Sequence, residues 1–234
     1  MTSKSTLDPN FITVINLLNE NNIPYWLCQG TLLGIIRDNK LIEWDHDIDI
    51  AVWSGVVEKK YITDLLSKAN FKTKEAFMVK NDVIYFIKDG GRIVDINFYQ
   101  KIKLKSNNKE MAYVEWLVPK NIFMKLIDAI STADKYEGKF KKLIKIFTFI
   151  KKPIFMLKKL FIKIGLFYKR SGYTAPVELF QNTKKIKFHG LEIKIPSKTI
   201  EYLEYIYGPN WQIPKKNYNW QDIKDSPSTV WNRF

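Results

Sequence analysis

The sequence between residues 43 and 50 reads Glu43-Trp44-Asp45-His46-Asp47-Ile48-Asp49-Ile50. Its alternation of polar and apolar residues predicts a half-buried strand over Asp45–Trp53. Because side chains on a strand alternate between its faces, Asp45, Asp47 and Asp49 are expected on one face and the isoleucines in the core. Three neighbouring carboxylates repel each other unless a cation neutralises them, and hard oxygen ligands favour Mg²⁺. The alternative interpretation is an exposed acidic turn.

A second acidic position lies in the later run Arg92–Tyr99, which reads Arg-Ile-Val-Asp-Ile-Asn-Phe-Tyr. Asp95 is a lone carboxylate in a mostly apolar predicted strand, so it lies either at an exposed edge or in a site. If this strand neighbours the strand of Asp47 and Asp49, the three acids together hold two metal ions. Two ions stabilise both the attacking and the leaving oxygen during phosphoryl transfer.

The pair Gly30-Thr31 follows a short apolar run, predicted to be a buried strand, and precedes an apolar run predicted to be helical. Glycine allows the backbone to approach phosphate, and the N–H groups at a helix N-terminus bind anions. Thr31 adds a hydroxyl donor. Arg37 and Lys40 follow shortly and are candidates to neutralise donor phosphates. For Lys40, a solvated loop is an equally good interpretation.

The composition is that of a folded domain, with 46% hydrophobic residues in a chain of 234. The single cysteine, Cys28, excludes a disulfide framework and a cysteine-rich zinc site. The first residues show no apolar stretch behind a basic start, so no secretory signal peptide is expected. Asp8 and Pro9 predict a helix start, and the turn residues at 89–91 and 189–190 predict two hairpins.

Most of the net charge of +14 belongs to residues 135–170, which hold twelve Lys or Arg and one acid, Glu137. Apolar residues recur there every three or four positions from Phe140 to Tyr168, and Pro153 is expected to divide the segment into two amphipathic helices. Lysines recur too often for a membrane-spanning helix, so the segment is predicted to lie in an anionic membrane interface. The alternative is a helical insert that packs on the domain with solvated lysines. The wide apolar face argues against nucleic acid as a partner.

Two runs of the chain resemble the LicD family, which includes bacterial phosphocholine transferases and fukutin-related ribitol-phosphate transferases. They are Gln29-Gly30-Thr31-Leu32-Leu33-Gly34-Ile35-Ile36-Arg37 and Trp44-Asp45-His46-Asp47-Ile48-Asp49-Ile50. A third run, Tyr207-Gly208-Pro209-Asn210-Trp211-Gln212-Ile213-Pro214, is similar to the closing segment of that family. The similarity covers about residues 20–130 and 175–214, leaving out the basic segment.

The resemblance implies an α/β (α+β) fold, a nucleotidyltransferase-like mixed sheet flanked by helices, with a basic amphipathic helical insertion. It divides the chain into a catalytic core at 1–134, the insertion at 135–170 and a C-terminal part of the catalytic domain at 171–234.

The resemblance also implies roles for individual residues. Asp47 and Asp49 would be the paired metal ligands and Asp95 the third, while Gly30, Thr31 and Arg37 would contact the nucleotide-activated donor. Two positions depart from the family pattern: His46 stands where the family usually has Asp, and Gln29 replaces a usually small or aromatic residue.

The implied reaction uses Mg²⁺ or Mn²⁺ to transfer a phospho-alcohol from a CDP-linked donor to a hydroxyl of a glycan or lipid-linked saccharide, releasing CMP. Asp45 or Asp95 would act as the general base. The expected location is cytoplasmic, at the inner face of the cell membrane. Two alternatives remain open: a nucleotidyltransferase that deposits NMP on a protein or small molecule, and a non-catalytic membrane-binding module.

Overall fold

The computed structural model describes residues 7–73, 82–103, 108–133, 140–165 and 167–216. Parts of the predicted units, at residues 1–6, 134–139 and 217–234, lie outside the described residues.

Seven helices and nine strands make up the described chain. The helices are α1 (Pro9–Glu20), α2 (Gln29–Asp38), α3 (Lys59–Lys68), α4 (Ile122–Ser131), α5 (Lys141–Ile146), α6 (Lys151–Ile164) and α7 (Thr199–Tyr207). The strands are β1 (Trp26–Leu27), β2 (Asp47–Trp53), β3 (Lys72–Thr73), β4 (Val83–Ile87), β5 (Ile93–Lys103), β6 (Glu110–Pro119), β7 (Tyr168–Pro176), β8 (Thr183–Phe188) and β9 (Leu191–Pro196). Short 3₁₀ helices cover Phe147–Ile150 and Val177–Leu179.

A seven-stranded mixed sheet forms the centre of the fold, with strand order β1-β2-β5-β4-β3. Strands β2 and β5 run parallel, whereas β1 pairs with β2 and β4 with β5 in antiparallel fashion. The last residues of β5 extend beyond the end of β4 and pair with β6, which in turn pairs with β7. The predicted mixed sheet flanked by helices is confirmed.

Local sequence explains where several of these elements begin and turn. The Asp8 carboxylate accepts hydrogen bonds from the backbone N–H groups of Asn10 and Phe11, and Pro9 occupies the first position of α1. His189 and Gly190 both have positive φ, which matches the two-residue turn that joins β8 to β9.

The main core lies between the sheet and helices α1, α2 and α7, and large aromatic rings fill its centre. The Trp26 ring packs against the rings of Trp53, Tyr99 and Phe180, with centroids 5.1, 5.7 and 5.5 Å away. This packing fixes β1, β2 and β5 against the segment that follows β7, and so holds the carboxylates of β2 and β5 on a rigid support.

The insert between β6 and β7 consists of α4, α5, a 3₁₀ turn and α6. Pro153 lies in the first turn of α6, so the predicted division into two helices is confirmed. The predicted apolar stripe, however, faces mainly inward: Ile154, Leu157 and Phe161 pack on a small core that includes Met124 and Ile127 of α4. Other members of the predicted stripe, Phe140, Leu143 and Ile164, are exposed. The stripe is therefore divided between a packed and an exposed surface, because periodicity alone does not tell which apolar residues meet the domain.

Within the described ranges, no helix combines the length and the hydropathy needed to cross a bilayer.

Candidate active site

Three carboxylates cluster at the start of β2. Asp47 and Asp49 occupy alternate positions of the strand and therefore share one face, whereas Asp45 lies in the turn that precedes it. One oxygen atom from each of these three aspartates lies within 4.8 Å of the others. The predicted alternation is thus confirmed for Asp47 and Asp49, whereas Asp45 reaches the cluster from the preceding turn.

Asp95 stands beside this cluster on the neighbouring parallel strand. The register of β2 and β5 pairs Asp49 directly with Asp95, whose side chain is buried. The negative charge of Asp95 helps to raise the pKa of Asp49. The structure therefore brings all four predicted acids to one region of the sheet, with Asp45, Asp47 and Asp49 forming the tightest group.

Burial and mutual repulsion dominate the electrostatics of this cluster. Burial, followed by a side-chain hydrogen bond to Asp45 and the charge of that residue, raises the pKa of Asp47 to about 7. Burial and then the charges of Asp47, Asp95 and Asp45 hold the pKa of Asp49 well above its usual range. Carboxylates that are hard oxygen donors, lie this close together and repel each other fit a bound divalent cation.

Gly30 and Thr31, at the start of α2, hold Asp49 in place. The Gly30 backbone N–H donates to Asp49 Oδ2 at 3.1 Å, and the Thr31 hydroxyl accepts from the Asp49 backbone N–H at 2.8 Å. Thr31 is buried, while Gly30 lines the cavity described next. Both residues thus position an acid, and their direct contact with a nucleotide donor stays a prediction.

Gly30 is also required for space. A Cβ atom built on it would collide with the Asp45 carboxylate and lie 3.6 Å from Asp49 Oδ2. The neighbouring residue, Gln29, is buried with a positive φ of 45°, and its amide donates to the Tyr99 hydroxyl at 3.1 Å. A residue without a side chain at position 30 therefore leaves room for the Asp45 carboxylate beside the backbone.

A cavity of about 330 Å³ opens above the acids. One part of the lining comes from the predicted region and includes Gln29, Gly30, Arg37, Asp45, Asp47 and Asp49. A second part comes from β7, the end of α7 and the chain after it, through Tyr173, Ile206, Tyr207, Asn210, Trp211, Ile213, Lys215 and Lys216. Leu33, Ile42 and Trp44 complete the lining.

Half of this second part of the lining has no signal in the sequence. Tyr173, Ile206, Lys215 and Lys216 carry no motif of their own, and only the long-range path of the chain brings them to the acids. The similarity of the closing segment 207–214 to the LicD family is the one sequence signal next to Lys215, and it does not give the position of that segment in space.

The cationic side chains around the cavity differ in the partners that they already have. The Arg37 guanidinium donates twice to the Asp38 carboxylate, at 2.9 and 2.7 Å, and is largely buried at the cavity wall. The Lys216 ammonium lies 5.6 Å from the centre of the Trp44 ring, so both residues frame the rim. Lys40 instead pairs with Glu43 at 2.6 Å in an exposed turn and is not among the lining residues.

Comparison with known proteins gives a consistent result. Residues 22–125 match the model of the nucleotidyltransferase domain of the LicD/FKTN/FKRP family. The chain is similar to the ribitol-5-phosphate transferase FKTN of Homo sapiens and of Macaca fascicularis, with 25% identity over 214 residues in each case. These matches cover 91% of this chain and 34% of the relatives, so the chain spans about a third of their length.

A third similar protein, an uncharacterized protein of Rickettsia typhi, is 37% identical over 89 residues, which are 38% of this chain and 27% of the relative.

Proposed function

Because this chain belongs to the LicD family, we propose that it transfers a phospho-alcohol from a CDP-activated donor to a sugar hydroxyl and releases CMP. The observation that supports this most directly is a cavity whose lining includes the cluster of Asp45, Asp47 and Asp49 and also Lys215 and Lys216. Acids that hold a divalent cation, together with lysines on the same cavity, are what a nucleoside diphosphate group requires.

Mg²⁺ or Mn²⁺ is the proposed cofactor, held by Asp47, Asp49 and Asp95. When bound, the ion would neutralise the charge of the diphosphate and the charge that develops on the leaving CMP. The protein contributes rigidity, since Asp49 is fixed by the backbone of Gly30 and the hydroxyl of Thr31.

Donor binding is proposed to use the cationic and aromatic residues of the cavity. Arg37, Lys215 and Lys216 balance the negative charge of the donor phosphates. Trp44 and Trp211 present ring surfaces on the same cavity, and a pyrimidine base stacks well on such surfaces. Together these groups hold the phosphorus atom next to the alcohol in line for attack by the acceptor.

Asp45 is the better candidate for the general base. Both Asp45 and Asp95 were candidates from the sequence, but Asp45 lines the cavity and Asp95 does not. An acceptor hydroxyl that enters the cavity therefore meets the Asp45 carboxylate, which takes up the proton while the hydroxyl oxygen bonds to phosphorus. Asp95 remains behind Asp49 on β5, in a position suited to a metal ligand.

The alcohol and the acceptor are proposed at the level of chemical class. Phosphoribitol is the first candidate, because FKTN relatives are named ribitol-5-phosphate transferases, and phosphocholine and phosphoglycerol follow. The acceptor is a sugar of a cell-surface glycan or of a lipid-linked saccharide. We place the reaction in the cytoplasm, at the inner face of the cell membrane where such saccharides are assembled.

The test is a screen for CMP release from CDP-ribitol, CDP-choline and CDP-glycerol, with Mg²⁺ or with EDTA, in the presence of candidate saccharides. We expect metal-dependent CMP release, reduced at least about a hundredfold in Asp47→Asn. Glu43→Gln is the matched control, because it removes an exposed acid only four residues away. Pyrophosphate release from a nucleoside triphosphate, or CMP release unchanged in Asp47→Asn, would refute the proposal.

A further inference from the structure

The exposed hydrophobic side chains of this protein are concentrated on the insert. Of the seventeen large hydrophobic side chains exposed in the described part of the chain, ten lie between residues 122 and 164. The most exposed are Ile122 at 85%, Phe140 and Phe149 at 79% and Met156 at 72%. Single exposed hydrophobic residues are ordinary, but a concentration of this kind on one substructure marks a surface that meets a partner.

Helix α6 has a second apolar strip in addition to the one that packs on α4. Its inward side buries Ile162 and packs Leu157 against α4. Its outward side exposes Met156, Leu160 and Ile164, which fall within a sector of about 80° at about 100° per residue.

Lysines border this outward strip. Lys152, Lys159 and Lys163 are exposed and fall within a sector of about 40°, directly beside the strip. A helix with apolar side chains on its exposed face and a lysine strip along the edge has the pattern of a helix that lies in a membrane interface.

A buried polar network fixes the rotation of α6. Lys158 is buried and its ammonium lies 3.1 Å from Asp128 Oδ1 of α4. The Tyr168 hydroxyl of β7 donates to the same oxygen at 2.6 Å. Because leaving a buried charge without its partner is costly, α6 cannot roll its outward strip into the domain.

We propose that the outward face of α4, α5 and α6 docks on an anionic lipid membrane. The exposed apolar side chains enter the boundary between headgroups and acyl chains, and the lysines contact lipid phosphates. The charge of the segment supports this partner, since residues 135–170 carry twelve Lys or Arg against one acid. A second copy of the chain is disfavoured as the occupant because two such faces repel each other.

Membrane docking is independent of the catalytic proposal, because neither the acids nor the cavity takes part in it. A test of vesicle binding and a test of CMP release can therefore give independent results. If the chain binds anionic vesicles but releases no CMP from a CDP-alcohol in the presence of an acceptor, the docking surface stands and the proposed reaction falls.

The experiment is flotation of the full chain with vesicles of phosphatidylcholine alone and of phosphatidylcholine with phosphatidylglycerol in equal parts. We expect recovery with the anionic vesicles that weakens as salt increases. The combined variant Met156→Gln, Leu160→Gln and Ile164→Gln should bind these vesicles at least about tenfold more weakly. Its melting temperature and its CMP release on a soluble acceptor should match those of the wild type.

A matched control replaces three exposed apolar side chains elsewhere, in Ile12→Gln, Val56→Gln and Ile200→Gln, and should bind vesicles like the wild type. Equal recovery with both vesicle types, or unchanged binding of the α6 variant, would overturn the proposal. So would a dimer in light scattering that the α6 variant abolishes in the absence of any vesicle binding.

Discussion

The Thr31 hydroxyl accepts a hydrogen bond from the Asp49 backbone N–H at 2.8 Å, while the Gly30 N–H donates to the carboxylate of that same aspartate. The first turn of α2 thus forms two hydrogen bonds with one residue of β2. The motif that the sequence presents as two separate runs, one with Gly-Thr and one with spaced aspartates, is therefore a single structural unit.

Replacement of Thr31 by valine keeps the shape of the side chain and removes the acceptor. The Asp49 N–H then has no hydroxyl to bond, and Thr31 is buried, so we expect a loss of about 1–3 kcal/mol in the free energy of unfolding. Chemical denaturation measures this loss, and Thr31→Ser, which retains the acceptor, should recover most of it. Equal stability of the valine variant and the wild type would contradict the role given to this hydrogen bond.

Replacement of Gly30 by alanine should affect the metal site more than the fold. The new methyl group collides with the Asp45 carboxylate, a side chain that can swing away, so we expect weaker Mg²⁺ binding in calorimetry with a nearly unchanged melting temperature.

Gly34→Ala is the comparison for that variant. Its methyl group would lie 2.6 Å from the Lys40 carbonyl oxygen, which is backbone and cannot move freely. We expect this second variant to lose stability and to keep the metal affinity of its folded fraction. The opposite pattern in the two variants would show that Gly30 serves packing and not the carboxylates.

Stability of the metal-free protein should depend on pH through Asp47. Its pKa is raised from an ordinary value near 3.8 to about 7, so the folded state binds more protons than the unfolded state between these two values. The free energy of unfolding that Asp47 contributes is therefore fully present below about pH 4 and is lost as the pH rises through about 7.

Thermal melts of the wild type and Asp47→Asn in EDTA measure this contribution as a difference. We expect the asparagine variant to gain stability relative to the wild type as the pH rises across that window. Mg²⁺ should stabilise the wild type more at high pH than at low pH, because it binds the deprotonated acids. A difference between the two proteins that does not change with pH would contradict the raised pKa.

Removal of the two lysines at the cavity should weaken donor binding. The double variant Lys215→Ala and Lys216→Ala loses two cations from the lining of the cavity, so we expect the KM for the CDP-alcohol to rise about tenfold or more. Lys40→Ala, which removes a lysine paired with Glu43 outside the cavity, is the control and should leave the KM unchanged. Equal effects of both changes would point to net charge rather than to the cavity.

The sequence predicted the elements whose determinants are local. The cap at Asp8, the turn at His189 and the alternating acids of β2 depend on neighbours along the chain, and the structure confirms each of them. The start of the strand was placed two residues too early, because Asp45 belongs to the preceding turn although its carboxylate joins the cluster.

Features that depend on distant parts of the chain were not predictable in this way. The mostly apolar run around Asp95 predicts a strand, but nothing local specifies that Asp95 lies opposite Asp49. The cavity lining also includes Tyr173 of β7 and Lys216 from the chain after α7, and only the long-range path of the chain brings them to the acids. For α6, both faces are apolar, and only the position of α4 decides which of them is buried.

The antiparallel pairing of β6 with β7 reaches Pro119 and Tyr168, and the Lys120 N–H donates to the Phe167 carbonyl at 3.0 Å. The insert therefore leaves the sheet and returns to it at directly neighbouring positions of β6 and β7. We therefore expect that lengthening, shortening or replacing the helices of the insert leaves the register of β6 and β7 unchanged. The geometry of the acidic cluster, which lies on β2 and in the turn before it, is therefore expected not to depend on the length of the insert.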